Sequence, residues 1–104
     1  MSRSIRSVEI NGKEWTELIA AANALAAADT PPIDPIDTSG DILCVSRDAD
    51  WLLCYADTKP DADDIRGELM QRFEKNITRN ETRIFARCFN EAQLGYIHVG
   101  PANA

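Results

Sequence analysis

The hydrophobic and polar positions of the chain change period several times, and each change marks an element. "SIRSVEI", residues 4–10, alternates and carries β-branched residues, which reads as a strand with one buried face. The spacing then becomes helical. Trp15, Leu18, Ile19, Ala22, Leu25 and Ala26 recur three and four positions apart, in a stretch rich in strong helix formers. Asn11-Gly12 competes as a hairpin turn. Asn11 followed by Glu14 also fits a helix N-cap, with Glu14 bonding back to the capping residue. The downstream periodicity favours a helix over 12–28.

"DTPPIDPIDTSGD", residues 29–41, forbids regular structure through its prolines and closing Ser-Gly-Asp. Its large apolar residues, Ile33 and Ile36, are expected to tack it onto the core. "DILCVS" and "WLLCYA" read as two strands of a hairpin around "RDAD". Pro60 and an aspartate cluster then look like a helix start. Ile65, Leu69 and Phe73 follow at helical spacing, which predicts a second helix over 61–76. "TRIFARCF" and "LGYIHVG" form a last strand pair around "NEAQ", and the tail 101–104 reads as flexible. The order is β-α-β-β-α-β-β in one domain. It predicts an α+β two-layer sandwich: a mainly antiparallel sheet of about five strands with two helices on one face.

Charge sharpens this picture. All ten aspartates lie between residues 29 and 64, where Arg47 and Lys59 are the only cations, so that segment carries −8. The rest of the chain is mildly basic, and the whole sums to −6. An acidic surface repels phosphate backbones, which disfavours direct nucleic-acid binding. It favours a protein partner with a basic surface, including one that itself binds nucleic acid. No apolar run approaches the ~20 residues of a membrane span. "MSRSIRSVEI" lacks the apolar stretch of a secretory signal, and three cysteines make no disulfide framework. A cytoplasmic protein is expected.

Chemistry-bearing constellations are sparse. Asp48 and Asp50 lie in a tight turn, where aspartate is favoured for bonding nearby N–H groups. They lack the ladder of oxygen ligands that a calcium loop needs. Asp61, Asp63 and Asp64 suit a helix N-terminus. Neither a glycine-rich phosphate cradle nor a C-x-x-C pair occurs, so no cofactor or metal is expected. His98 is the single histidine, and Cys88 on the predicted neighbouring strand is the thiol that would approach it across the "NEAQ" turn. A cleft lined by His98, Tyr96 and Cys88 is the one enzyme or ligand-binding reading. Arg83 and Arg87 beside Phe85 and Phe89 would suit single-stranded nucleic acid, but interleaved glutamates dilute such a patch. Cys44 and Cys54 face each other in one register of the predicted hairpin and not in another. In both they are flanked by apolar residues, which suits reduced structural thiols.

What remains is a binding surface. Asp34, Asp37, Asp48, Asp50, Asp61, Asp63 and Asp64 would steer and orient a basic partner, with Trp51 and Tyr55 as anchors. The expected function is a protein-binding module that inhibits or regulates its partner. Small acidic domains poor in catalytic motifs include immunity proteins and phage-encoded inhibitors of host defence, anti-CRISPR proteins among them. That analogy is one of class. The alternative is a self-associating component, as a homodimer or larger assembly, joined through strand edges.

Overall fold

The initial alternation produces strand β1 (Arg6–Asn11), with Val8 and Ile10 buried and Glu9 exposed. The structure is a computed structural model and describes residues 6–32, 34–36, 40–64, 66–79 and 83–101. Asn11-Gly12 makes a tight turn rather than a helix cap. Asn11 bridges Glu14, and the Lys13 N–H donates to Asn11 Oδ1 at 2.9 Å. A two-residue strand, β2 (Thr16–Glu17), follows. The helix expected over 12–28 therefore begins later, and α1 spans Leu18–Ala28. The reason is tertiary. The backbone at Gly12 lies against Asn90 and Glu91, where an added Cβ would stand 2.6 Å from Glu91 Cα. Helix α1 buries Leu18, Ala22 and Ala26 against the sheets, and Arg6 holds Asp29 just past its end at 2.7 Å.

The remaining elements are strands: β3 (Asp41–Ser46), β4 (Trp51–Ala56), β5 (Glu68–Met70), β6 (Lys75–Arg79), β7 (Arg83–Cys88) and β8 (Leu94–Pro101). They form two four-stranded antiparallel sheets, ordered β1-β8-β3-β6 and β2-β7-β4-β5. The expected single sheet of about five strands with two helices on one face is thus corrected to two sheets and one helix. Val8, Ile10, Ile42, Cys44, Ile97 and Val99 from the first sheet meet Trp51, Leu53, Ile84, Ala86 and Cys88 from the second in one apolar core. Ile36 joins it and tacks down the proline-rich loop, its N–H donating to Asn23 Oδ1 at 2.9 Å. Ile33 lies outside the described residues.

Two hairpins predicted from the sequence are corners instead. β3 pairs with β8 and β6, whereas β4 pairs with β7 and β5. Residues 47–50 carry the chain from one sheet to the other. β7 and β8 likewise belong to opposite sheets, joined by 89–93. A run such as "ILCV" reads the same whether its sequence neighbour pairs beside it or stacks opposite it, because both arrangements bury alternate side chains. Cys44 therefore aligns with Val99 and Asn76, and Cys54 with Phe85, so the two cysteines never face each other.

The second predicted helix is absent. Residues 68–70 pair with β4, and 75–79 with β3. Gly67 at φ 107 and Phe73 at φ 68 bend the backbone out of helical geometry on either side of β5. Of the supposed apolar stripe, Leu69 and Phe73 are exposed and Ile65 lies outside the described residues, while the neighbouring Met70 reaches the core. A second, smaller apolar layer lies on the outside of the β2-β7-β4-β5 sheet, made of Trp15, Leu52, Cys54 and Phe85. Among the described residues no helix is long and apolar enough to cross a membrane.

Candidate functional site

The corner 47–50 is built by hydrogen bonds from three directions. Arg47 N–H donates to Tyr96 O at 3.1 Å, and Asp48 Oδ1 accepts the Tyr96 N–H at 3.0 Å. The Ser46 hydroxyl donates to Ala49 O, closing the turn beneath buried Ala49. Asp50 O accepts the Phe89 N–H at 3.0 Å, and Asp50 Oδ1 accepts the Arg72 N–H at 3.2 Å. Both carboxylates bond N–H groups distant in sequence rather than the nearby ones expected of aspartate in turns, yet both remain exposed. With Ala49, Arg72 and Gln93 they line a shallow polar hollow of about 200 Å³.

Two aromatic residues bracket this corner. Phe73 N–H donates to Ser46 O at 2.7 Å, which anchors the 71–74 turn against the end of β3. The ring itself is 70% exposed, on a backbone with φ 68. A bulky residue in the left-handed region is unusual, because its Cβ crowds the carbonyl oxygen. Phe89 stands on the other side of the corner and is 51% exposed. One end of the sandwich therefore displays two phenylalanines around two exposed carboxylates. Sequence reading placed Phe73 at the apolar spacing of a second helix and weighed Phe89 only within an arginine–aromatic patch that it set aside.

The predicted site residues do not all converge. Trp51 is fully buried between the sheets, so the anchor role assigned to it is closed. Tyr55 lies at the far end of β4, where its hydroxyl donates to Asn76 Oδ1 at 3.0 Å and ties the two sheets together. Asp34 is exposed on the proline-rich loop, and Asp37 lies outside the described residues. Asp61 and Asp63 are exposed on the segment that follows β4. Asp64 is half-buried and holds Arg66 through Nε at 2.6 Å and Nη2 at 2.5 Å. That hydrogen bond keeps the Asp64 carboxyl below its ordinary range, against a smaller opposing effect of burial.

The cleft reading does not survive the topology. Tyr96 and His98 lie on the outer face of the β1-β8-β3-β6 sheet, with His98 between Ser7 and Val45. Cys88 lies inside the sandwich, its thiol 3.7 Å from Ile10 O. The arginines do not form an open row either. Arg83 and Arg87 do share a sheet face, but Arg83 is bound to Glu17 at 2.5 Å and Arg87 is fully buried. The Arg87 guanidinium donates to Ala62 O at 2.5 Å, to Cys88 O at 3.3 Å and to Gly12 O, 6.0 Å from the Trp15 ring centroid.

All three cysteines are free and buried. Burial pushes the Cys44 thiol up to about 12 and the Cys88 thiol up to about 11. Cys54 is also raised by burial, with Arg66 pulling the other way. Among the described residues no group of three or more His, Cys, Asp or Glu gathers in a way that could hold a metal ion. Comparison with protein families, with curated proteins and with solved structures finds no match for this chain.

Proposed function

We propose that this chain is a protein-binding module that occludes a basic surface of a partner and thereby inhibits or regulates it. The observation that carries this reading is the pair of exposed phenylalanines, Phe73 and Phe89, flanking the exposed carboxylates of Asp48 and Asp50. Interfaces are held by aromatic anchors and steered by complementary charge. The net charge of −6 fits a cationic partner and opposes phosphate backbones. The three free thiols suit a reducing compartment, which supports a cytoplasmic setting.

The test is affinity capture from a lysate of the native source, at two salt concentrations, with three forms of the protein. The unmodified protein should retain its partner best at low salt. Phe73→Ala with Phe89→Ala should lose the partner at both concentrations. Asp48→Asn with Asp50→Asn keeps the acceptors that shape the corner and removes only charge, so it should weaken capture chiefly at low salt. A partner retained equally by all three forms would remove this end of the sandwich from the interface.

Self-association is the second reading. Its specific support is Ile77, 60% exposed on the edge strand β6. Lys75 on the same outer face blunts that edge, as charged residues do on edge strands. Sedimentation of the purified chain alone separates the two, since the self-assembly reading requires a dimer or larger species without any partner.

A further inference from the structure

The outer face of the β2-β7-β4-β5 sheet should face water, yet Leu52, Cys54 and Phe85 on it are buried. Trp15 packs with them, and residues 57–64 are tied to the same face by hydrogen bonds from Trp15, Arg83 and Arg87. The attachment of 57–64 differs from that of the strands. Every strand of the sandwich is held by a backbone ladder. Among the described residues, the only backbone-to-backbone hydrogen bond of 57–64 is internal, from Asp64 N–H to Asp61 O at 3.0 Å.

Three side chains hold the segment instead. Arg83 Nη1 donates to Asp57 O at 3.0 Å, Arg87 Nη1 donates to Ala62 O at 2.5 Å, and Trp15 Nε1 donates to Asp64 O at 2.8 Å. Pro60 is buried, while Asp57, Thr58, Lys59, Asp61, Ala62 and Asp63 are exposed. Lys59 reaches Glu14 at 3.7 Å between two exposed side chains, a contact worth little in water.

We propose that residues 57–64 form a strap that opens independently of the sandwich and uncovers the apolar layer beneath. The sandwich can persist without the strap, because no strand ladder passes through it and the main core lies on the other side of the sheet. Opening breaks three side-chain contacts, exposes the Leu52–Cys54–Phe85 floor, and frees the indole N–H of Trp15 and one edge of the Arg87 guanidinium above it. Segments held by few buried contacts open at lower free energy than the global fold.

The three cysteines supply the test. Cys54 lies in the outer layer on the strap's side of the sheet, whereas Cys44 and Cys88 lie in the main core. The full chain is exposed to an alkylating reagent under native conditions across a series of low urea concentrations, and each cysteine is followed by mass spectrometry. Cys54 should label at least about tenfold faster than Cys44 and Cys88, with a rate almost independent of urea, as expected for a local opening. Cys44 and Cys88 should label only with the steep urea dependence of global unfolding. Exchange of the Trp15 indole proton should follow the opening measured at Cys54. Arg87→Lys, which keeps the charge and loses the fork, should accelerate Cys54 in the absence of urea by a larger factor than it accelerates Cys44 and Cys88. Labelling of all three cysteines at one rate with one urea dependence would overturn the proposal, as would a Cys54 rate that Arg87→Lys leaves unchanged.

Discussion

Phe73 gives the sharpest test of the geometry on which the proposed surface depends. Its backbone sits at φ 68, and its ring is 70% exposed. The left-handed conformation costs a residue with a Cβ about 1–2 kcal/mol. Glycine escapes that cost but loses roughly 0.5–1 kcal/mol more backbone entropy on folding. Phe73→Gly and Phe73→Ala both forfeit the ring's remaining contacts, about 0.5–1 kcal/mol for a side chain buried over a third of its surface, and this loss cancels between them. The glycine variant should therefore be the more stable by about 0.5–1 kcal/mol, the reverse of the order in a helix interior. Urea denaturation followed by tryptophan fluorescence reads the difference as a midpoint about 0.4 M higher for glycine, at a slope of about 2 kcal/mol per molar. Neither variant should capture a partner. An alanine variant at least as stable as the glycine one would show that the 71–74 turn does not hold this backbone. The proposed site would then lose the feature that projects Phe73 into solvent.

Arg87→Met should destabilise the fold by about 1–3 kcal/mol in the same assay, because it strands the buried carbonyl of Gly12; an unchanged midpoint would mean that carbonyl finds another partner. Gly12→Ala places a Cβ 2.6 Å from Glu91 Cα, with Asn90 O also in its way, so thermal unfolding should shift by the equivalent of at least about 2 kcal/mol. Cys44 and Cys88 ionise at about 12 and about 11 in the folded chain, against an ordinary 9.0. The unfolded chain therefore releases those protons first, and the stability present below pH 9 is lost as pH rises from 9 through 11 and 12. The urea midpoint should fall across that window, and Cys44→Ala should flatten the fall; equal falls in both proteins would rule out thiol burial as the cause. No bridge should link Cys44 to Cys54, so alkylated mass should be the same with and without reductant.

Part of the candidate site is legible in the one-dimensional pattern. The acidic turn at 48–50 is visible because aspartate favours turns, although it joins two sheets and its carboxylates bond the N–H groups of Tyr96 and Arg72 rather than neighbouring ones. Its aromatic anchors are not visible there. Trp51 and Tyr55 look like anchors because they sit next to the turn in sequence, but Trp51 alternates into the core and Tyr55 closes the far end of the sheets. Phe73 and Phe89 arrive from separate turns, through single backbone hydrogen bonds to Ser46 and Asp50. Nothing local encodes those contacts.

Sequence by itself determined five of the strands, the alternation that turns Val8 with Ile10 and Ile97 with Val99 to one side, and the concentration of negative charge in the middle of the chain. The tertiary structure alone decided which strands are neighbours. Six of the seven connections between successive strands cross from one sheet to the other, and only β4 and β5 pair with a sequence neighbour. A period of two reports that a side chain is buried, but not whether the next strand lies beside it or across the core. That choice is made by how two complete apolar faces fit together. The same fit turned a helical spacing at 65–73 into a bend, a short edge strand and an exposed phenylalanine.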